Sequence, residues 1–443
     1  MIGYLKDKYA LLGKKKITRD LFYSYTAFIL MGLSGLALNY LVVVSYGVSV
    51  LGVYNQIYAV YVITCQCAVG GIHHSVLRHT ASYADDSINK DSILCSGLLL
   101  AVFTGGLAAT FLFLCSDIVG SFVDSSVVGK GVAYASFGLF FYGLNKIFLA
   151  AFNGNRDMML FAVGQATRFL CLIGCVLICV VFDVDQSLLG LTFPVSELLT
   201  LIVLCTIRLQ EKITFPVYLR SWLKVHIVYC VKGYFSQMFQ AINLRIDILM
   251  LGFFTNDYSV GIYSFAAVFV EGAQALLVVV RNNLNPILAR ALIKKDFQSL
   301  KNVIFKVHTI IYPLLLLCFI VFFFGYESVM SFVVTSDVAE KTKVLLFILL
   351  SGFWIYSGYA PFGSLLVNDG HPGTQSLLLL SCMFLNILLN SILINLWGTI
   401  GAALATSFSF VAYVLILIYF VKRTTGICLF PFGKWLDKSF DNE

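Results

Sequence analysis

Charge is what this sequence has least of. Asp, Glu, Lys and Arg make up 12% of its 443 residues, where an ordinary soluble domain carries about a quarter. That shortage excludes a water-soluble globular protein of this length and leaves no room for a soluble enzyme domain. Motifs of cofactor chemistry are also missing. There is no glycine-rich loop to cradle a phosphate and no metal-ligand spacing. The chain is therefore not read as an enzyme, and no cofactor is expected. Twelve cysteines are present but form no framework. Most sit in apolar runs, where a free thiol behaves as a small hydrophobe. Cys171, Cys175 and Cys179 share a helical face, and Cys65 and Cys67 form a "CQC" pair. Neither set has converging His or carboxylate partners, so packing is expected rather than a metal site.

Apolar residues fill the space left by charge, at 59% with a mean hydropathy of +0.89. A spanning helix takes about 20 apolar residues, so the chain holds material for about 12 spans. Long apolar runs fall near 21–46, 54–77, 92–116, 131–152, 159–182 and 187–207, then near 227–254, 259–285, 303–325, 343–366, 374–396 and 399–421. Between the sets lies the polar stretch "RLQEKITFPVYLRSWLKVH" (208–226). The expected fold is an all-α integral membrane protein of about 12 transmembrane helices. Its expected parts are an N-terminal six-helix bundle at 1–207, a cytoplasmic linker at 208–226 and a C-terminal six-helix bundle at 227–443. The basic N-terminus lacks a small-residue cleavage site before the first run, so that run reads as a retained span. With both termini in the cytoplasm, 22 Lys and Arg fall in cytoplasmic segments, and Lys130, Lys341 and Lys343 fall in the opposite loops. The positive-inside rule favours that orientation, and the net charge of +7 is mostly this bias, so it implies no nucleic acid.

The halves resemble each other. "SVLGVYNQIYAV" (49–60) aligns with "SVGIYSFAAV" (259–268), which pairs Gly52 with Gly261 and Tyr54 with Tyr263 at an offset of 209. Asn153 pairs with Asn368 at 215, and Gly190 with Gly401 at 211. Two repeats of six spans each keep the same orientation. They are expected to be related by a pseudo-two-fold axis along the membrane normal, with the transport path between them.

Eight charges lie inside apolar runs: Lys146, Arg168, Glu197, Lys232, Arg245, Asp247, Glu271 and Arg281. Each costs about 2.5–3.5 kcal/mol facing lipid at mid-bilayer, so they are expected to face protein or water. On the seventh run Gly233, Ser236, Gln237, Gln240, Asn243 and Asp247 form a polar stripe at helical spacing. Arg245 points away from it, and structural pairing is its alternative to a cavity role. On the eighth run Glu271, Gln274, Arg281 and Asn285 share a side, with Asn282 near it. On the fourth run Tyr142, Lys146 and Asn153 line up, and Gln165 neighbours Arg168 on the fifth. Glu197 follows Pro194, where a proline can bend the helix. For Lys232 and Arg281, near the cytoplasmic ends, snorkelling to headgroups competes with a cavity role. His73 and His74 read as interfacial; Tyr54, Tyr58 and Tyr61 read as an interface belt or a sugar-stacking patch. The sum of five basic and three acidic groups points to a water-filled central cavity with a modest positive excess.

The "INLRIDILMLGFF" segment followed by "SVGIYSFAAVFVEGAQAL" resembles the start of the second half of polysaccharide flippases. "YGVSVLGVYNQIYAV" and "FNGNRDMMLFAVGQATRF" look similar to the same proteins. The resemblance covers nearly the whole chain. It points to the multidrug/oligosaccharidyl-lipid/polysaccharide exporter superfamily, and within it to the O-antigen (Wzx-type) flippases of bacteria. Lipid II flippases usually carry two further spans that do not appear here. The resemblance implies alternating access across the bacterial inner membrane and an oligosaccharide on undecaprenyl diphosphate as substrate. It also implies a proton or sodium gradient as the drive and polysaccharide polymerase or chain-length proteins as partners. Lys146, Arg168, Arg245, Arg281, Gln240 and Asn243 are the expected substrate-binding residues. Asp247, Glu271 and Glu197 are the expected ion-coupling groups or counter-charges. Two alternatives stand beside the flippase: a cation-coupled multidrug exporter of the same superfamily, and a membrane enzyme of polysaccharide assembly.

Overall fold

The computed structural model describes residues 23–430 apart from 24, 28, 84–85, 211–214 and 331–332. The basic positions 6, 8, 14, 15, 16, 19, 212, 434 and 438, which contribute to the sidedness count, lie outside the described residues. The side chains of Lys232, Gly233, Ser236, Gln237 and Asn282 lie outside them too.

Among the described residues the chain is helical and has no strand. The helices of the first half are α1 (Tyr25–Tyr46), α2 (Val48–Val69), α3 (Ile72–Ser82), α4 (Ser87–Leu114), α5 (Ser116–Phe122), α6 (Ser126–Ser136), α7 (Gly138–Gly154), α8 (Met158–Val181) and α9 (Thr192–Leu209). Those of the second half are α10 (Leu219–Phe254), α11 (Asp257–Ile293), α12 (Phe297–Lys306), α13 (Tyr312–Met330), α14 (Ser336–Ser357), α15 (Leu365–Asn368) and α16 (Pro372–Thr425). By length and apolarity 8 helices can cross a membrane, and 10 if each bent pair counts as one span. The bent pairs are α6 with α7 at 45°, and α14 with the segment through α15 at 48°. Gly398, at φ 55°, breaks the helical path inside the 54-residue α16, so this element supplies the eleventh and twelfth expected runs. The 36-residue α10, which carries Arg220, Lys224, Lys232, Arg245 and Asp247, stands where the seventh run is expected. The chain is an all-α integral membrane protein.

Local chemistry sets the helix ends. Asp86 caps α4 by accepting from the Asn89 amide at 3.0 Å. Asn256 caps α11 through the Ser259 amide at 2.9 Å, and Asp296 caps α12 through the Ser299 amide at 3.0 Å. Each satisfies one of the orphan donors of a first turn. Hydrogen bonding to the ionised form holds the Asp86 and Asp296 carboxyls below their ordinary value. Gly426 closes α16 in the left-handed region. Pro194 does not bend a helix interior. It sits in the first turn of α9, where the chain passes from a 3-10 turn at Gln186–Leu191 into α-helix, and there its missing N–H breaks no ladder.

Contacts divide the chain into two compact units: residues 1–46 with 56–241, and residues 47–55 with 242–443. In the first unit α3, α4, α7, α9 and the start of α10 enclose a core of Ile72, Val76, Ile93, Ile147, Leu204 and Trp222. In the second, α11, α12, α14, α15 and α16 enclose Leu288, Ile304, Phe362, Leu366, Val414 and Leu417. Outward apolar side chains such as Phe103, Phe111 and Leu114 on α4 and Phe324 on α13 remain uncovered by protein, as lipid-facing residues do.

One contact in the second unit needs glycine. A Cβ on Gly52 would lie 1.8 Å from the Asp257 carbonyl oxygen, and one on Gly261 would lie 1.9 Å from the Val48 carbonyl oxygen. Val48 and Asp257 stand at the same offset of 209 as the two glycines. The first turns of α2 and α11 thus touch backbone to backbone, reciprocally, with no room for any side chain at either glycine.

Candidate functional site

In the first unit a buried carboxylate joins three helices. Arg168 Nε on α8 donates to Glu197 Oε1 on α9 at 2.5 Å. Asn145 Nδ2 on α7 donates to Glu197 Oε2 at 2.7 Å and to the Glu197 carbonyl oxygen at 2.8 Å. Glu197 is almost fully enclosed, whereas the Arg168 side chain keeps 18% of its surface. Its guanidinium also lies over the rings of Tyr142 and Phe169, with centroids at 5.0 and 5.5 Å. Tyr142 meets Tyr61 edge to face, and Tyr61 stacks on Phe193.

Lys146 follows Asn145 on α7. Its Nζ sits 5.3 Å from the Tyr142 ring centroid, a cation–π contact. Among the described residues it has no hydrogen bond and no ion pair. Protein surrounds it, yet part of its surface stays accessible. Glu197 and Arg168 neutralise each other, so the local cluster keeps one positive charge, on Lys146.

The second unit holds two separate arrangements. Arg245 on α10 grips Glu271 on α11 through both oxygens, Nη1 to Oε1 at 2.6 Å and Nη2 to Oε2 at 2.9 Å, the forked geometry that suits guanidinium and carboxylate. Asp247, two residues on, turns elsewhere. Its Oδ2 accepts a hydrogen bond from the Tyr263 hydroxyl on α11 and a longer one, 3.4 Å, from Thr406 on α16. Its Oδ1 accepts from the Ile248 amide at 3.0 Å. Tyr263 and Thr406 also bond to each other at 3.0 Å. Asn243, one turn earlier on α10, has a buried Oδ1 with no partner among the described residues. Gln240 is exposed, and Arg281 is half-buried with no hydrogen bond or ion pair among those residues.

The expected substrate-binding set is thus split. Lys146 and Arg168 share one neighbourhood in the first unit, with Arg168 engaged by Glu197. Arg245 and Asn243 lie on the part of α10 in the second unit, Gln240 lies on the part in the first, and Arg245 is engaged by Glu271. Sequence reasoning missed Asn145, Tyr263 and Thr406. It also missed a buried pair at the end of α9, Arg208 with Asp91. Another omission was His226, whose Nδ1 meets the Ser75 hydroxyl at 2.8 Å and whose Nε2 donates to the Ile93 carbonyl at 3.2 Å. His226 lies just ahead of the seventh run, and burial pushes its imidazole down to about 4, so it is neutral at physiological pH. His73 and His74 stack at 4.0 Å. Among the described residues no group of three His, Cys, Asp or Glu side chains converges as a metal site.

Known proteins share part of the sequence pattern and the fold. Residues 234–392 match the MatE family model. The fold is shared with solved membrane transporters over nearly the whole chain. A multidrug resistance MATE family transporter of the MOP superfamily, inward-facing, superposes with a TM-score of 0.74 at 13% identity, covering 90% of this chain and 94% of that one. The lipid II flippase MurJ, in an inward closed conformation, superposes at 0.70 with 17% identity, covering 91% and 87%. A MOP superfamily transporter from Pyrococcus furiosus, described by a reversed polarity of its binding pocket, superposes at 0.67 with 13% identity, covering 93% and 96%. No curated protein matches the chain in sequence. The family model covers part of the second half, and the solved structures share the fold; those neighbours are transporters and flippases.

Proposed function

We propose that this protein is a flippase that carries an undecaprenyl-diphosphate-linked oligosaccharide, an O-antigen or related repeat unit, across the bacterial inner membrane by alternating access. Both termini lie in the cytoplasm in this reading, and the chain divides into six-span halves at 1–207 and 227–443. The observation that carries it is Lys146: a partly accessible cation deep in the protein, with no acidic partner among the described residues. An unneutralised cation in a low-dielectric setting attracts a phosphate or an acidic sugar strongly. Arg168 supports Lys146, because an arriving anion competes with Glu197 for its guanidinium. Arg281, Gln240 and Asn243 supply further polar contacts from the second half, while the prenyl chain stays in lipid. The fold shared with a lipid II flippase fits a lipid-linked substrate. Polymerase and chain-length proteins are the proposed partners in the membrane.

A vesicle assay with labelled lipid-linked oligosaccharide tests the reading. Wild-type protein moves the glycolipid between leaflets, and Lys146→Ala lowers that rate at least tenfold while protein levels stay unchanged. No net movement by the wild type sinks it.

A second reading, a cation-coupled multidrug exporter, is favoured by Asp247, a carboxylate with no cation paired to it among the described residues, and by the fold shared with MATE family transporters. Raised drug tolerance on expression, with surface polysaccharide unaffected, selects it.

A further inference from the structure

We propose that His73 and Lys146 form one binding site for a phosphate group in the first unit, and that the His73 imidazole takes up a proton as the phosphate arrives and gives it back when the phosphate leaves. The proposal deepens the flippase reading and rests on it only for the source of the phosphate, the diphosphate of a lipid-linked substrate.

The backbone brings the two side chains together. Gly70 and Gly71 both lie in the left-handed region, at φ 53° and 83°, and break the path between α2 and α3. α3 then packs along α7. Ile72 and Ile147 converge on Gly97 of α4, where an added Cβ would lie 3.9 and 3.2 Å from their Cγ2 atoms. Further on, a Cβ at Gly154 would lie 2.8 Å from the Leu77 carbonyl oxygen. The contacts advance in chain order on both helices, so α3 and α7 run parallel here. Successive residues turn by about 100° in the same sense on each helix. The residue after Ile72 and the residue before Ile147 therefore flank the contact on one side. Those residues are His73 and Lys146, and the Lys146 ammonium acts electrostatically on the His73 ring.

The repeat supplies an internal control. At the offset of 209 that pairs Gly52 with Gly261, Gly70 and Gly71 fall on Val279 and Val280. α11 continues through those valines to Ile293 as one helix. The first half turns its chain here and the second does not, so the break is no requirement of the span.

The His73 Nδ1 is covered by protein and has no hydrogen-bond partner among the described residues. An imidazolium there would bury an N–H with no acceptor beside an ammonium, so the empty site holds the neutral ring. Of the helices around α3, α2 carries no charged residue and α7 carries Lys146 alone. α4 brings Lys90 and Asp91, and Asp91 is held by Arg208. α10 meets α3 through His226, held by Ser75 and the Ile93 carbonyl, while its Arg220 and Lys224 are exposed. The groups that act on His73 electrostatically are its stacked neighbour His74 and Lys146. A phosphate supplies the missing counter-charge. It carries about two negative charges and three acceptor oxygens, enough to accept from the Lys146 ammonium and from an imidazolium together. With Nδ1 covered, Nε2 is the nitrogen that donates to it. As the phosphate enters, a hydronium ion in the surrounding water gives one proton to the ring: an O–H bond breaks, an N–H bond forms, and the new positive charge meets the phosphate. Departure reverses the step. α3 opens at Gly71 with no side-chain cap, and its positive end strengthens the attraction.

Solid-state nuclear magnetic resonance of the full-length protein in phosphatidylcholine bilayers, isotope-labelled at its six histidines, tests this. His73→Gln removes one imidazole signal and so assigns it. In the wild type that ring is neutral near neutral pH without an anion, and inorganic pyrophosphate raises its titration midpoint by about one pH unit or more, a tenfold gain in proton affinity. Lys146→Met raises the midpoint without any anion, because a like charge is gone, and pyrophosphate then adds nothing further. A wild-type midpoint that pyrophosphate leaves in place overturns the proposal, and so does a rise of equal size in Lys146→Met. Farnesyl diphosphate separates the sources, and either result supports the site. A larger rise than with pyrophosphate at equal concentration assigns it to a lipid-borne phosphate, and an equal rise assigns it to a free one. No glycolipid enters the measurement. A response of His73 with no glycolipid movement in vesicles therefore refutes the flippase reading alone, and glycolipid movement with no response of His73 refutes this proposal alone.

Discussion

Removing Glu197 gives the sharpest test of how the first unit is held together. Glu197→Ala leaves the Arg168 guanidinium deep in the protein without its partner at 2.5 Å, and it frees the Asn145 amide from its 2.7 Å bond. Breaking a buried ion pair from one side costs about 3–5 kcal/mol. Arg168 keeps 18% of its side-chain surface, which lets water reach it in part, so the lower end, about 3 kcal/mol, is expected. The double variant Arg168→Met with Glu197→Leu strands no charge. It should lose less than Glu197→Ala alone, because packed apolar residues replace such pairs at little cost. Equilibrium unfolding of purified protein in mixed micelles measures all the variants needed for a double-mutant cycle. Strict additivity, with the double variant losing as much as the two single changes together, would show that the pair is not coupled and would refute the argument.

Three further expectations follow from the geometry. Gly52→Ala places a methyl where the Asp257 carbonyl oxygen lies; the helices must part, and the same unfolding measurement should show a loss of about 1–3 kcal/mol or more. Arg245→Lys exchanges a fork for a point charge and should lower stability without changing expression, because the second Glu271 oxygen loses its donor. The half-buried Asp86 cap gives a pH dependence. Its folded-state carboxyl titrates below the unfolded value, so its contribution is present above the ordinary Asp range and is lost as pH falls through the folded value. Asp86→Asn, which keeps the cap without the charge, should flatten that part of the pH–stability curve.

The fold was largely legible in the sequence, because a bilayer imposes length and apolarity on every span. Among the described residues the expected runs fall on helices, but 8 to 10 rather than about 12 pass as spans by length and apolarity: α10 is not among them, and α16 carries the last two runs on either side of the kink at Gly398. Pairing inside the spans was less legible. Arg168 and Glu197 lie 29 residues apart, and Arg245 and Glu271 lie 26 apart, each pair on successive spans. Helical periodicity gives the direction of each residue on its own helix but not the rotation of the next helix about its axis. Asn145 was overlooked because its partner Glu197 lies 52 residues away on another helix. Thr406 was beyond reach, since 159 residues separate it from Asp247 and a hydroxyl in an apolar run leaves little trace.

The Glu197 junction also constrains motion. One acidic side chain fastens α7, α8 and α9 through hydrogen bonds made largely inside the protein. Sliding α9 would break its bonds to both α7 and α8, and sliding α7 or α8 would break its own bond to Glu197. Whatever rearrangement accompanies a transport cycle, these three rods are expected to travel as a single riveted block, and shape change must be absorbed at other joints.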